Sequence, residues 1–207
     1  MSIGRNIVLV DGDPCDIALG RAKEGEGEGP VFLSRRDGLR LAAILEPPEG
    51  MNPLRMMVLF SVPVANALEA EGFDEVELVW PNLIKAMGDR MGKVRVTRLE
   101  NGRSVLGIVI PLPAGGEGTV PLDGEGLANT MIFQLDAFYS RLVSYKVTFD
   151  EYVDRCSTIG KVIELRVGDQ VIEGKVLNIE DTGTLMIRGS DGLYNFSLEE
   201  WASIKGL

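Results

Sequence analysis

The residues best suited to chemistry lie in a basic stretch near the middle of the chain. From Lys85 to Arg103 the sequence has six basic residues and two acidic ones, although the protein of 207 residues carries a formal net charge of −10. A local concentration of positive charge attracts anions. The stretch follows Trp80-Pro81-Asn82 and has the pattern of two apolar strands joined by a glycine-containing turn. We therefore expect it to present an anion-binding surface on a β-hairpin.

The composition excludes several classes of mechanism. The chain has no histidine, so a Ser-His-Asp triad, a Cys-His pair and imidazole metal ligands are ruled out. Its two cysteines, Cys15 and Cys156, are far apart and form no CxxC pair, which indicates neither a disulfide framework nor a zinc site. Any acid–base chemistry would have to use Asp, Glu, Lys, Tyr or Cys.

The same numbers predict a cytoplasmic protein without membrane or nucleic-acid partners. No segment approaches the roughly 18 consecutive apolar residues of a membrane span, and the N-terminus lacks the long apolar run of a secretion signal. The absence of a disulfide pattern fits a reducing compartment. Net negative charge opposes general attraction to phosphate backbones.

The N-terminal part of the chain is predicted to form a strand, a helix and an acidic connection. Ile7 to Val10 predicts a strand, and Asp13-Pro14 predicts a helix that runs to about Lys23, because Asp is a good N-cap and Pro suits the first helical position. The Glu-Gly repeat at 24–29 follows that helix and is acidic, so we interpret it as an exposed connection and not as a phosphate-binding loop.

Periodicity and turn residues predict that the chain divides into an α+β domain over residues 1–158 and a small β domain over residues 159–207. The second helix is expected to bury one apolar stripe and to be kinked by Pro63. A Pro/Gly-rich surface loop is expected from Pro111 to Gly124, and short twisted strands after Thr158 favour an SH3-like barrel. The predicted elements are a hairpin over 30–45, a helix from Asn52-Pro53, a strand at Glu75–Val79, two strands of the basic hairpin, a strand at Val105–Ile110, helices at about Gly126–Lys146 and Phe149–Cys156, and four strands between Val162 and Phe196.

These motifs resemble those of the biotin protein ligases and lipoate ligases, in which a Trp-Pro-Asn-Asp turn leads to a Lys-x-Gly-Gly turn and an apolar strand. The tail is similar as well, with Gly160-Lys161-Val162 and Asp181-Thr182-Gly183 in the order that the family uses. The resemblance implies a class II synthetase-like fold, a mixed sheet flanked by helices with an SH3-like C-terminal barrel. It also implies that the chain is a short form without the N-terminal DNA-binding domain of the regulatory members.

The chemistry implied by the resemblance joins biotin to ATP as biotinyl-adenylate and then passes the acyl group to a lysine of a carrier protein. Three motifs of that chemistry are altered here. The Ser-Thr-Asn turn that contacts biotin corresponds to Asp13, Pro14 and Cys15. The loop GRGRxGRxW, which closes over the adenylate, is replaced by the short turn that contains Arg35 and Arg36.

The third altered motif is the Trp-Pro-Asn-Asp turn and the residues after it. Leu83 stands in place of Asp, Arg90 in place of the catalytic lysine, and Gly92-Lys93 in place of Gly-Gly. Arginine keeps the positive charge but presents a planar fork, so it does not replace lysine neutrally. Arg90 and Lys93 are therefore the candidate catalytic residues. The candidate ligand-binding residues are Trp80, Pro81, Asn82, Lys85, Gly92, Arg35 and Arg36.

Three hypotheses follow. The first is a ligand-binding or assembly protein, a pseudoenzyme that cannot form the adenylate. The second is an active ligase that uses ATP and biotin, lipoate or a related acid and modifies a carrier protein. The third is a structural or partner-binding module, with a homodimer formed through sheet edges as one form of it.

Several of the candidate residues also have a purely structural interpretation. Arg35 and Arg36 can be solvated turn residues, and Trp80-Pro81 can be an aromatic anchor. Cys15 can be an acyl-accepting thiol or a small buried filler.

Overall fold

Two β-sheets and four helices make up the described part of the chain. A computed structural model describes residues 3, 6–35, 38–111, 124–144, 146–147, 149–167 and 170–197. The elements are β1 (Asn6–Leu9), α1 (Pro14–Lys23), β2 (Pro30–Ser34), β3 (Leu39–Leu45), α2 (Pro53–Ala70), β4 (Glu77–Val79), β5 (Leu83–Ala86), β6 (Asp89–Arg98), β7 (Ser104–Ile110), α3 (Gly124–Val143), α4 (Asp150–Val153), β8 (Val162–Val167), β9 (Gln170–Ile179), β10 (Leu185–Gly189) and β11 (Leu193–Phe196).

The large sheet has seven strands in the order β1-β2-β3-β7-β6-β5-β4. β1 runs parallel to β2 through the α1 crossover, and the other neighbouring strands are antiparallel. One face is packed by α2 and α3 and contains most of the buried apolar residues. On the opposite face, the part of the chain that the structure describes provides partial cover by α1, which packs on β2, β3 and β7. This mixed sheet with flanking helices confirms the predicted α+β fold.

Both predicted helix starts are confirmed. Asp13 caps α1, and Asn52 caps α2 by accepting a hydrogen bond from the backbone N–H of Arg55 at 2.7 Å, with a proline in the first turn of each helix. The prediction of a single apolar stripe on α2 was too narrow. Nearly the whole helix from Leu54 to Leu68 is buried, and it continues through Pro63 to Ala70.

The C-terminal sheet has four antiparallel strands in the order β11-β10-β9-β8. Its inner face contributes buried side chains, among them Leu165, Val176 and Ile187, to the same apolar cluster that lies beneath the large sheet. The two sheets therefore share buried apolar surface. The four predicted strands of this region are confirmed.

Several predicted boundaries were wrong by a few residues. β4 begins only at Glu77, because Glu75 has a φ of 51°, which is incompatible with a strand. α4 is shorter than predicted, and α3 lies two or three residues earlier. Most of the predicted loop at 111–124 lies outside the described residues.

The acidic connection after α1 is less exposed than expected. Glu26 to Gly29 are partly buried. The Tyr139 hydroxyl lies 2.9 Å from a carboxylate oxygen of Glu28 and 2.9 Å from the Glu46 carbonyl oxygen, so it can donate to either one. None of the helices within the described ranges is long and apolar enough to cross a membrane.

Candidate functional site

The N-terminal turn of α1 lies against the partly open face of the large sheet. The Asp13 carboxylate accepts a hydrogen bond from the backbone N–H of Cys15 at 2.8 Å and forms an ion pair with Arg40 of β3 at 3.0 Å. Both side chains of the ion pair are 38% exposed. Asp13 therefore fixes the start of α1 over β3 and neutralises the Arg40 guanidinium.

Cys15 packs directly over β7. A Cβ atom at Gly107 would lie 2.4 Å from the Cys15 sulfur, so only glycine lets the helix approach this closely. Burial, and then the negative charge of Asp13, raise the pKa of Cys15 from 9.0 to about 11. At neutral pH the side chain is a thiol and not a nucleophilic thiolate, which disfavours the acyl-accepting role considered for Cys15.

Three cations share this sheet face. The strand register pairs Arg40 with Val109 and Val109 with Lys93, and Arg95 follows two residues later on β6. Lys93 and Arg95 are exposed, whereas Val94 between them is fully buried on the other face. Arg95 lies close enough to Cys15 to oppose part of the rise in its pKa. Arg40, Lys93 and Arg95 are hereafter the basic face.

The two candidate catalytic residues are not equivalent in the structure. Lys93 belongs to the basic face, whereas Arg90 is exposed near the start of β6 and pairs with Lys85 across a register shift in β5. Gly92 is buried. A Cβ atom there would lie 2.4 Å from the Ile110 Cδ1 atom, so glycine is needed for packing towards the core. The structure thus gives Gly92 a packing role.

The Trp80-Pro81-Asn82 motif joins the two sheets. Trp80 is 2% exposed; its backbone N–H donates to the Thr158 hydroxyl at 2.9 Å, and its indole N–H donates to the Gly183 carbonyl at 2.8 Å. Pro81 is also buried, and the Asn82 carbonyl accepts the Val94 N–H at 2.9 Å. Trp80 has the contacts of an aromatic anchor, and together with Lys85 it lines a cavity between the sheets.

The β2–β3 turn lies near the carboxyl ends of β1 and β2. Arg35 forms an exposed ion pair with Glu125 of α3 at 3.3 Å, and Arg36 lies outside the described residues. A surface cavity of about 430 Å³ is lined by Asp11, Ser34 and Arg35 with nearby apolar residues of β1 and β2. Residues 35–38 alone connect the two strands.

Sequence reasoning missed the parts of this site that depend on sheet order. Arg40 was not proposed, although a charged residue inside the apolar run Leu39-Arg40-Leu41 was an available signal. Asp13 was predicted from the residues as a helix cap, and the resemblance alone connected Asp13 and Cys15 with a ligand site. No group of His, Cys, Asp and Glu in the described ranges has the arrangement of a metal site.

Comparison with solved structures defines the class of fold. A biotin protein ligase from Aquifex aeolicus superposes with a TM-score of 0.78 at 17% identity, over 96% of this chain and 97% of that one. A biotin protein ligase-like protein of unknown function from Silicibacter sp. gives 0.78 at 19% identity, over 95% and 96% of the two chains. At such identities the likeness establishes the biotin protein ligase fold alone.

A second comparison concerns the sequence of the N-terminal part of the chain. Residues 6–105 match the model of the biotin/lipoate A/B protein ligase family. No curated protein gives a significant sequence match. Among the structural neighbours, the Aquifex aeolicus enzyme is also solved in complex with biotin and ATP, with a TM-score of 0.77 at 18% identity, over 95% of this chain and 97% of that one.

Proposed function

We propose that this protein binds a small organic acid of the biotin or lipoate kind on the basic face and does not convert it to an acyl-adenylate. The observation that carries the proposal is the short β2–β3 connection next to the strand that holds Arg40 of the basic face. Residues 35–38 are the whole connection, where the family resemblance implies an arginine-rich loop that closes over the adenylate. The chain keeps the fold, and the basic face supplies cations for one carboxylate.

Lys93 and Arg95 are the cations that are free to bind the acid. Neither forms an ion pair within the described ranges, whereas Arg40 is already paired with Asp13. A charge-assisted hydrogen bond to a carboxylate contributes about 1.5–3 kcal/mol when the groups are shielded from water. Because both cations are exposed, we expect the lower end of that range and an affinity in the micromolar range or weaker.

The described residues on and around the basic face do not fit a nucleoside triphosphate. The Asp13 carboxylate would repel phosphate groups, and Arg35 is already paired with Glu125 of α3. Losing one preorganised donor to a developing negative charge typically costs 100-fold to 1,000-fold in rate. Adenylate formation is therefore expected to be slower than in a working ligase by at least this factor.

Two measurements on the full chain test the proposal. Calorimetric titration with biotin, lipoate and octanoate should show binding of at least one acid, and ATP–pyrophosphate exchange in the presence of that acid should stay at background. Arg95→Met should weaken binding about fivefold or more through loss of one charged contact. Arg188→Met, an exposed arginine on the C-terminal sheet, is the matched control and should bind normally.

ATP–pyrophosphate exchange at the rate of a working ligase would contradict the proposal that the protein does not form an acyl-adenylate. If no acid binds, then the ligand-binding proposal itself is wrong, and the structural or partner-binding module becomes the better description.

A second candidate function is an active ligase of altered substrate, and the clustering of cations on β5 and β6 favours it. Lys93 on the basic face, with Arg90 nearby, keeps positive charge where the resemblance implies the catalytic lysine. This candidate predicts that the full chain transfers biotin or lipoate to a lysine of a carrier protein and that Lys93→Ala abolishes transfer. Unchanged transfer in Lys93→Ala would exclude the role of Lys93.

A further inference from the structure

A second candidate binding site lies where the large sheet meets the C-terminal sheet, away from α1. A cavity of about 200 Å³ opens there, with apolar walls that include Trp80, Ile163 and Leu165. Its volume equals that of about six or seven water molecules at roughly 30 Å³ each. A small organic molecule would fit, whereas a nucleotide would not.

Four donor groups that line this cavity have no acceptor among the residues that the structure describes. Thr158 is only 6% exposed, and its hydroxyl oxygen accepts the Trp80 N–H at 2.9 Å, but the hydroxyl proton has no acceptor within the described ranges. The Ser157 hydroxyl and the ammonium groups of Lys85 and Lys161 also have no hydrogen-bond or ion-pair partner among those residues. Of these groups only Thr158 is buried, while Ser157 and Lys85 are half-buried and Lys161 is exposed. A ligand with acceptor atoms would take the place of water at all four groups.

The backbone that carries these donors is fixed from both sides. The Ser157 N–H donates to the Leu78 carbonyl of β4 at 2.8 Å, and the Gly160 N–H donates to the Val176 carbonyl of β9 at 3.0 Å. The Val176 N–H in turn donates to the Lys161 carbonyl at 2.9 Å. The segment between the sheets is therefore held in place before any ligand arrives, which lowers the entropy cost of binding.

We propose that this cavity binds a small monocarboxylic acid with a short apolar body. Two lysines and Glu164 give the lining a net formal charge of +1, which matches a single carboxylate, while Glu164 would oppose a phosphate dianion. The hydroxyls and ammonium groups bind the carboxylate, and the apolar body lies against Trp80 and Ile163. This site is separate from the basic face and does not rest on the function proposed for it.

Hexanoate titration of the full-length Trp201→Phe protein tests the inference, because Trp80 is then the only tryptophan and forms part of the cavity wall. We expect a saturable change in Trp80 emission. In the same background, Lys161→Met should weaken binding about fivefold. Ser157→Phe, which fills the cavity, should abolish binding. Lys175→Met removes an exposed lysine of the same sheet that does not line the cavity, and it should bind within twofold of the parent.

Circular dichroism confirms that each variant is folded before the titrations are compared. The inference is overturned if hexanoate gives no saturable change, or if Lys161→Met and Ser157→Phe both bind as the parent does. A loss of hexanoate binding in Arg95→Met with normal binding in Lys161→Met would place the acid on the basic face instead. Saturation by inorganic phosphate but not by hexanoate would overturn the assignment of a carboxylate.

Discussion

One carboxylate, that of Asp13, sets the charge of the candidate site. It caps α1 through the N–H of Cys15, pairs with Arg40, and is the second largest cause, after burial, of the raised pKa of Cys15. Its effect is to leave Lys93 and Arg95 as the available cations and to keep the sulfur protonated. The proposed anion-binding site therefore has no activated nucleophile at Cys15.

The raised pKa of Cys15 predicts slow alkylation near neutral pH. With the pKa at about 11 instead of 9.0, the thiolate fraction at pH 8 falls roughly 100-fold relative to an ordinary cysteine. Iodoacetamide labelling of Cys15, followed by peptide mapping to separate it from Cys156, should therefore keep accelerating up to about pH 11. Asp13→Asn removes a charge that raises the pKa, so it should speed labelling at pH 8.

The matched control for this experiment is Asp191→Asn, which removes an exposed carboxylate on the C-terminal sheet. It should leave the labelling profile of Cys15 unchanged. A profile that levels off near pH 9 in the unaltered protein would show that Cys15 titrates as an ordinary thiol.

At the scale of elements, the turn between β9 and β10 docks the C-terminal sheet onto the start of α2. The Asn52 side-chain amide donates to the Thr182 carbonyl at 3.1 Å, and Arg55 forms an ion pair with Asp181 at 3.4 Å. Gly183 lies at the centre of this contact. Its φ is 89°, and a Cβ atom there would lie 2.8 Å from the Leu54 Cγ atom.

Gly183→Ala should therefore destabilise the fold for two separate reasons, the positive φ and the clash with α2. Gly160→Ala isolates the first, because Gly160 has a φ of 82° and open space around it. In urea denaturation we expect the free energy of unfolding to fall by about 1 kcal/mol for Gly160→Ala and by about 3 kcal/mol for Gly183→Ala. Equal losses in the two variants would show that the contact with Leu54 adds nothing.

Local signals in the sequence predicted the elements well. Asp13-Pro14 and Asn52-Pro53 mark helix starts because capping depends only on neighbouring residues. The strands predicted at Leu39–Leu45 and Val105–Ile110 came from apolar runs bounded by turns, and the observed strands are Leu39–Leu45 and Ser104–Ile110.

Contacts that depend on strand order could not be predicted in this way. Cys15 meets Gly107 because β7 is inserted between β3 and β6 in the sheet. Residues of the motif around Trp80 that are close in sequence lie on different faces of the sheet. The causes are the alternation of side chains along each strand and a register shift in β5. Trp80 is therefore buried between the sheets while Lys93 lies on the basic face. The family resemblance supplied the motif but not this separation.

At the scale of the whole molecule, shared burial predicts that both sheets unfold together. Buried residues of the C-terminal sheet and of the large sheet belong to one apolar cluster, and Trp80 links them by hydrogen bonds to Thr158 and Gly183. Scanning calorimetry of the full chain should show a single transition whose calorimetric and van't Hoff enthalpies agree. Two transitions would instead show that the predicted unit at 159–207 folds independently.

Trp80→Phe makes this prediction sharper. It leaves the buried Gly183 carbonyl without the indole donor, which should cost about 2 kcal/mol and lower the midpoint by about 6 °C for a chain of this size. If the sheets are coupled, the whole transition moves down without splitting, because Trp80 contributes to both. Tyr194→Phe, which removes an exposed hydroxyl bonded to Asp191, should leave the midpoint nearly unchanged. A shoulder at lower temperature in Trp80→Phe alone would mean that the indole contact is what couples the two sheets.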